Sequence, residues 1–197
     1  MAPHLLNLDG LDLAVNRHRI AAYAGEIMPA DQSRLESFGP LVLAGILRNH
    51  RMPPDDEALS SAVAVQWRDL LRAAFKFPAM LPPLGYGAGL HFDPAADTLE
   101  FFCGFVWRST VRVPEGLQCV AIPGITCSVF RHTGPLSRLR HTLDAIFGTA
   151  LPLAGLHRFD LAGDVPSFIL RSRPGFNPLT GFGGVDVLVP VREPALP

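Results

Sequence analysis

Hydrophobic and polar positions divide the chain into stretches of two different periods. Residues 36–50 alternate between apolar and polar side chains and predict a strand. Residues 56–76 repeat their apolar side chains every three or four positions, which predicts an amphipathic helix. Acidic residues at 55–57 suit the start of this helix, and the prolines of FPAMLPPLG end it. The apolar face of the helix contains Leu59, Val63, Trp67, Leu70, Leu71 and Ala74.

The same order of elements then returns. YGAGLHFD and TLEFFCGFVWRSTV are typical of strands, and the turn-forming PAAD between them predicts a hairpin. QCVAIPGITCSVFRH predicts a strand, GPLSRLRHTLDAIFGTAL an amphipathic helix, and SFILRS and GGVDVLVPV two later strands. The chain is therefore expected to run through strand, helix and hairpin twice. The apolar face of the second helix contains Leu136, Leu139, Leu143, Ile146 and Phe147.

The joint between the second strand and the second helix has a mechanical explanation. Gly134 relaxes the backbone, and Pro135 pre-sets the dihedral angle of the first helical residue, where a missing N–H costs nothing. We interpret His132 as a brace for this joint rather than as a catalytic group.

Composition narrows the function classes. The chain has 197 residues, of which 48% are hydrophobic, enough to bury a substantial core. Seventeen basic residues against eighteen acidic ones provide no basic excess, so we expect no direct nucleic-acid partner. No run of eighteen apolar residues and no secretory leader is visible, which predicts a cytoplasmic protein without a membrane span.

Cysteine and histidine patterns give no sign of a cofactor. The three cysteines, Cys103, Cys119 and Cys127, lie in apolar runs without CxxC spacing and are predicted to be reduced core residues. The seven histidines fit no ligand template, GYGAGL is not a dinucleotide fingerprint, and the catalytic motifs G-x-S-x-G and H-E-x-x-H are absent. We expect neither a metal nor another cofactor.

Several segments in order resemble one family. They are VPEGLQCVAIPG, the run Ser128-Val129-Phe130, the corner HTGPLSRLRHTL, Leu151-Pro152 with Gly155, and the closing VDVLVPV, with YGAGLHFDP, CGFV and Trp67 in the first half. Over residues 38–192 the chain resembles the GyrI-like small-molecule-binding domain, the effector-binding domain of AraC-type bacterial transcription activators.

The resemblance implies an α+β fold. Two strand-helix-hairpin units would form one curved antiparallel sheet, with two main helices on one face and a ligand cleft between the units. Residues 36–193 would form this domain, residues 1–35 an N-terminal helix or arm, and residues 194–197 a tail. Residues 1–35 are too few for a helix-turn-helix module.

Aromatic and acidic side chains are the candidate ligand contacts. Alternation along DTLEFFCGFVWRS puts residues 99, 101, 103, 105 and 107 on one face of the strand, so one face should meet the helices and the other the cleft. Glycines beside Tyr86 indicate a turn or close backbone packing. Asp186 stands where the family usually has a glutamate that meets a cationic ligand, and the alternative is an aspartate exposed at a sheet edge. The predicted contacts are Trp67, Tyr86, Glu100, Phe101, Phe105, Trp107 and Asp186.

Three functions stay open, led by non-enzymatic binding of a small hydrophobic molecule, with Asp186 and Glu100 as anchors for a cation. The alternative enzyme is a hydrolase of electrophilic, cyclopropane-bearing molecules that uses Glu100 or Asp186 with Tyr86. Departures from the family pattern at Cys127 and His157, where tyrosine and glutamate are usual, weaken that reading. A third alternative is a protein partner that the chain inhibits, as a DNA gyrase inhibitor of this family does.

Overall fold

Antiparallel strands and two helical segments make up the computed structural model, which describes residues 33–51, 56–75, 85–93, 98–108, 112–159 and 165–192. The first helix, α1, spans Asp56–Ala74. The second helical segment contains a 3-10 turn (Leu136–Arg138), α2 (Leu139–Ala145), a π-helical turn (Ile146–Ala150) and α3 (Leu151–Leu153). The strands are β1 (Arg34–Phe38), β2 (Leu41–Arg51), β3 (Tyr86–Asp93), β4 (Thr98–Val106), β5 (Gln118–Ile122), β6 (Ile125–His132), β7 (His157–Arg158), β8 (Phe168–Ser172) and β9 (Val185–Arg192).

The strand order confirms the α+β fold and the repeated unit. It is β1-β6-β9-β8-β3-β4-β2-β5, with β7 paired to β9, and every pairing is antiparallel. The first unit places its strands in the order β2-β4-β3, and the second unit places its own as β6-β9-β8. The two units meet where β3 pairs with β8.

Each unit gives its outer strand to the other unit. β1 leads into β2 but pairs with β6, while β5 leads into β6 but pairs with β2. The register runs unbroken through both pairings, from Arg34↔Val129 and Phe38↔Ile125 to Leu41↔Ile122 and Gly45↔Gln118. Residues 34–45 and 118–129 therefore lie side by side as one long antiparallel pair.

Two breaks in this pair correct the sequence prediction. Single strands were expected over 36–50 and 118–132, but each is interrupted, at Gly39-Pro40 and at Pro123-Gly124. Gly39 has a φ of 78°, and a Cβ there would lie 2.4 Å from the carbonyl oxygen of Pro123. Only glycine fits where these two segments of the backbone pass this closely.

The sheet buries apolar side chains on both faces. On one face both helical segments cover a core that includes Trp67, Phe101, Leu143 and Val187. The opposite face, called here the inner face, has its own core of nine buried residues. They are Phe38, Leu43, Ala88, Phe102, Ile122, Cys127, Val129, Ile169 and Leu188.

Most predicted elements are confirmed, with some changes in bounds. α1 ends at residue 74 rather than 76, and β4 ends at residue 106. The predicted PAAD turn, residues 1–32 of the N-terminal extension and the tail lie outside the described residues, and β1 begins at Arg34. Among the described residues no helix is long and apolar enough to span a bilayer.

His132 braces the strand-to-helix joint as predicted, but Pro135, predicted to be the first helical residue, precedes the 3-10 turn with an extended ψ of 146°. His132 is 4% exposed, and its ring nitrogens lie 2.8 Å from the Thr142 hydroxyl and 3.1 Å from the Pro135 carbonyl oxygen. Since a carbonyl only accepts, Nε2 donates to Pro135 and Nδ1 accepts from Thr142. Burial lowers the pKa of His132, which favours this neutral form.

One cysteine prediction is wrong. Cys103 and Cys127 are buried, and burial raises the pKa of each thiol to about 12. Cys119 is exposed, because β5 is the outermost strand at its end of the sheet.

Candidate functional site

Three of the predicted aromatic contacts lie in the core under the helices. Trp67, Phe101 and Phe105 are 3%, 2% and 6% exposed, and the rings of Trp67 and Phe105 meet edge to face with centroids 6.2 Å apart. Alternation predicted that Phe101 and Phe105 share a face of β4, and the structure shows that this face meets the helices. The three side chains therefore pack between the sheet and the helices, on the face opposite the inner face.

Alternate glycines in β3 and just before it make that packing possible. A Cβ on Gly85 would lie 2.7 Å from the Trp67 ring, and one on Gly89 would lie 2.4 Å from the Phe168 ring. The glycines beside Tyr86 thus serve close packing, one of the two readings that the sequence left open. Tyr86 itself has its side chain on the inner face, against the second core.

A groove of about 520 Å³ brings two predicted contacts together. Tyr86 from β3 and Trp107, which directly follows β4, both line it. The backbone N–H of Trp107 donates to the Val42 carbonyl oxygen at 2.8 Å. This hydrogen bond continues the β2–β4 pairing one residue past the end of β4. The other lining residues are Gly39, Pro40, Leu41, Val42, Val106 and Arg108.

Two strands from Tyr86, Asp186 is bound by arginines. It is 6% exposed, and its two carboxylate oxygens accept from Arg171 Nη2 at 3.0 Å and Arg173 Nη1 at 2.8 Å. β9 lies between β6 and β8, so the alternative of an aspartate exposed at a sheet edge is wrong. The charge of Asp186 is satisfied inside the chain.

Arg171 also holds β1 across the inner face. Its Nη1 and Nη2 donate to the two oxygens of Glu36 at 2.6 and 3.1 Å, and Arg34 Nη2 lies 3.2 Å from the same carboxylate. The hydrogen bond from Arg171 is the main reason that the pKa of Glu36 is lowered. Beside this contact, the rings of Phe38 and Tyr86 are 6.0 Å apart.

The carboxylates proposed for hydrolysis are not next to Tyr86. Glu100 contacts His91 Nδ1 at 2.9 Å, and it lies four residues along β4 from Gly104, the cross-strand neighbour of Tyr86. That separation is about 13 Å along the strand. Asp186 lies two strands from Tyr86, with Arg171 between them. The predicted acidic and tyrosine groups are therefore apart.

A second cavity, of about 480 Å³, lies at the end of α3. Arg158 stacks on the Phe147 ring there, 4.6 Å from its centroid. None of the predicted contacts lines this cavity, whose residues are Phe147, Leu151, Pro152, Leu156, His157, Arg158 and Phe159. Among the described residues, no cluster of three metal-ligating side chains is found.

Comparison with known structures defines the fold class. No protein-family model matches the chain, and no curated protein matches it significantly. Solved structures do match, and they show that the chain has a GyrI-like fold.

Three of these structures cover 82% of the chain each. SAV2435 bound to tetraphenylphosphonium has a TM-score of 0.55 at 10% identity over 94% of its own chain. The EcmrR C-terminal domain has a TM-score of 0.56 at 13% identity over 98% of its chain. A putative bacterial transcription regulation protein from Staphylococcus aureus MU50 has a TM-score of 0.51 at 10% identity over 99% of its chain.

Sequence reasoning missed the arginines around Asp186. Arg171 and Arg173 alternate in the strand-like SFILRSR, a spacing that places both on one face of a strand. Together with Asp186 in a neighbouring apolar strand, that spacing was an available signal for an internal ion pair. Glu36 gave no such signal, because its contact with Arg171 spans 135 residues of sequence.

Proposed function

We propose that the chain binds a small, largely hydrophobic molecule in the groove lined by Tyr86 and Trp107, as a non-enzymatic effector-binding domain. The observation that carries this proposal is the groove itself, where two aromatic side chains border an apolar wall. Its volume of about 520 Å³ lies in the range of small-molecule sites. A neighbour of the same fold, SAV2435, is bound to tetraphenylphosphonium, a bulky aromatic compound, which supports this class of ligand.

Within this proposal the predicted residues take different roles. Tyr86 and Trp107 contact the ligand, since both line the groove. Trp67, Phe101 and Phe105 fix the strands behind it, because they are almost fully buried. Val42, 40% exposed, gives the ligand apolar surface to cover. Burial of this surface provides the main driving force for binding.

A fluorescence titration with the neutral dye N-phenyl-1-naphthylamine tests the proposal. Trp107→Ala and Tyr86→Leu should each weaken binding at least tenfold, because each removes one aromatic wall. Leu153→Ala is the matched control, since Leu153 is 78% exposed and is not among the residues that line the groove. Equal affinity in all three variants would exclude this groove as the site.

A fold control accompanies the titration. Trp107 is partly buried against the core, so circular dichroism must show that Trp107→Ala retains its secondary structure. Trp107→Phe keeps an aromatic ring there and should bind within about threefold of the wild type. Loss of binding in the folded Phe variant as well would point to the indole N–H rather than to ring contact.

A further inference from the structure

We infer that the groove selects hydrophobic anions, such as aryl carboxylates and sulfonates, over hydrophobic cations; this rests on the proposed function. The inference comes from the charges beside Tyr86. A hydrophobic cation needs an uncompensated carboxylate when it leaves water, whereas an anion needs a cation or a hydrogen-bond donor. The inner face near the groove offers the second kind of partner.

Arg171 is the cross-strand neighbour of Tyr86, and the two carboxylates that contact it are already occupied. Both oxygens of Asp186 accept from arginine, and both oxygens of Glu36 accept from Arg171. With Arg34, three guanidinium groups surround two carboxylates, which leaves an excess of one positive charge. Arg171 therefore occupies the position in which a ligand cation would meet Asp186.

This cluster directly adjoins the groove. Tyr86, Arg171, Asp186 and Arg131 are successive cross-strand neighbours on β3, β8, β9 and β6. Side chains in such a row share one face of the sheet. Arg131 is exposed, so it adds a second positive charge to the inner face. A ligand against Tyr86 thus has positively charged groups on the side towards β8.

The charged residue in the groove lining is also an arginine. Arg108 is exposed, lines the groove beside Trp107, and makes no ion pair with any residue that the structure describes. Among the residues that the structure describes, those that line the groove include no carboxylate. A third acid of the inner face, Glu100, is held by His91 and lies further along β4. Arg108 is therefore the ionic anchor that we assign to the ligand.

Two ions of the same shape and opposite charge test whether the sign of the charge decides binding. Tetraphenylborate and tetraphenylphosphonium each carry four phenyl rings on one central atom and differ in the sign of the charge. Calorimetric titration of the full chain should give at least tenfold tighter binding of sodium tetraphenylborate. Added sodium chloride should weaken borate binding, because screening reduces attraction to Arg108. Equal or tighter binding of the phosphonium would overturn the inference.

Charge reversal locates the anchor. Arg108→Glu should weaken borate binding at least tenfold and strengthen phosphonium binding, without touching the ion pairs of Asp186. Arg158→Glu is the matched control, since it reverses an exposed arginine in the second cavity. If Arg158→Glu alone abolishes borate binding, the anion lies in the other cavity and the assignment is wrong.

The neutral dye separates this inference from the proposed function. Binding of N-phenyl-1-naphthylamine through Tyr86 and Trp107, together with a preference for the phosphonium, would refute anion selection and leave the binding function intact. If the dye and both ions fail to bind, the proposed binding function is refuted, and the inference about charge falls with it. Arg171→Met adds a direct test where it folds. It leaves Asp186 with Arg173 alone and Glu36 with Arg34 alone. The excess positive charge is then lost, which should shift the preference towards the phosphonium.

Discussion

Glu36 and Arg171 form a two-pronged ion pair between β1 and β8, with Nη1–Oε1 and Nη2–Oε2 distances of 2.6 and 3.1 Å. In the strand order β6 and β9 lie between these two strands. Three strand spacings correspond to about 14 Å along a flat sheet. The pair can form only because the sheet curves, and it holds β1 against the inner face.

Glu36→Gln should lower the free energy of unfolding by about 1–3 kcal/mol at pH 7, as expected for the loss of a charged hydrogen bond that is partly buried. Arg171 lowers the pKa of Glu36 below its ordinary 4.5. The pair therefore contributes fully above pH 4.5 and loses its contribution as the pH falls through the lowered value. Urea unfolding at several pH values should show the wild type and Glu36→Gln converging in acid.

Arg34→Gln serves as the control for this pair. Arg34 contacts the same carboxylate, but its side chain is 63% exposed, so its removal should cost less than about 0.5 kcal/mol. A larger loss for Arg34→Gln than for Glu36→Gln would show that Arg171 does not hold β1.

Acid should also act on the joint that His132 braces. Burial lowers the pKa of His132 below its ordinary 6.5. The unfolded chain then takes up this proton before the folded one, so stability falls between pH 6.5 and the lowered value as the pH drops. Urea midpoints at pH 7.5 and 5.5 should fall further for the wild type than for His132→Gln. Equal changes in the two proteins would contradict this role.

Glycine substitutions test the packing behind the groove. Gly89→Ala places a Cβ 2.4 Å from the Phe168 ring, and Gly85→Ala places one 2.7 Å from Trp67. Each should cost about 1–3 kcal/mol through overpacking, seen as a lower thermal midpoint. Gly148→Ala is the matched control, because nothing lies within 4 Å of its added Cβ. If Gly148→Ala is as destabilising, overpacking is not the cause.

Thiol labelling should distinguish the three cysteines. Cys119 is exposed, while burial raises the pKa of Cys103 and Cys127 to about 12. Ellman's reagent at pH 8 should modify one thiol quickly in the folded protein and all three in urea, because the thiolate is the reacting form. Cys119→Ser should remove the fast phase. A fast phase of two thiols would mean that a core strand opens readily.

Periodicity was enough to predict α1, the β3–β4 hairpin and which side chains of β4 share a face, since each depends on neighbours in sequence. Local pattern could not reveal that β1 pairs with β6, because that choice depends on contacts between distant segments. Trp67 and Tyr86 show the same limit at the site. Trp67, on α1, is buried in the core between the helices and the sheet, whereas Tyr86, the first residue of β3, borders the groove.

The exchange of outer strands between the two units limits how the domain can be divided. Paired residues in the long 34–45 and 118–129 register are between 73 residues (Gly45 and Gln118) and 95 residues (Arg34 and Val129) apart. Cut between β4 and β5, either fragment would lose the partner of its own outer strand. The two units thus form a single cooperative folding unit, and their fragments should regain structure only when mixed.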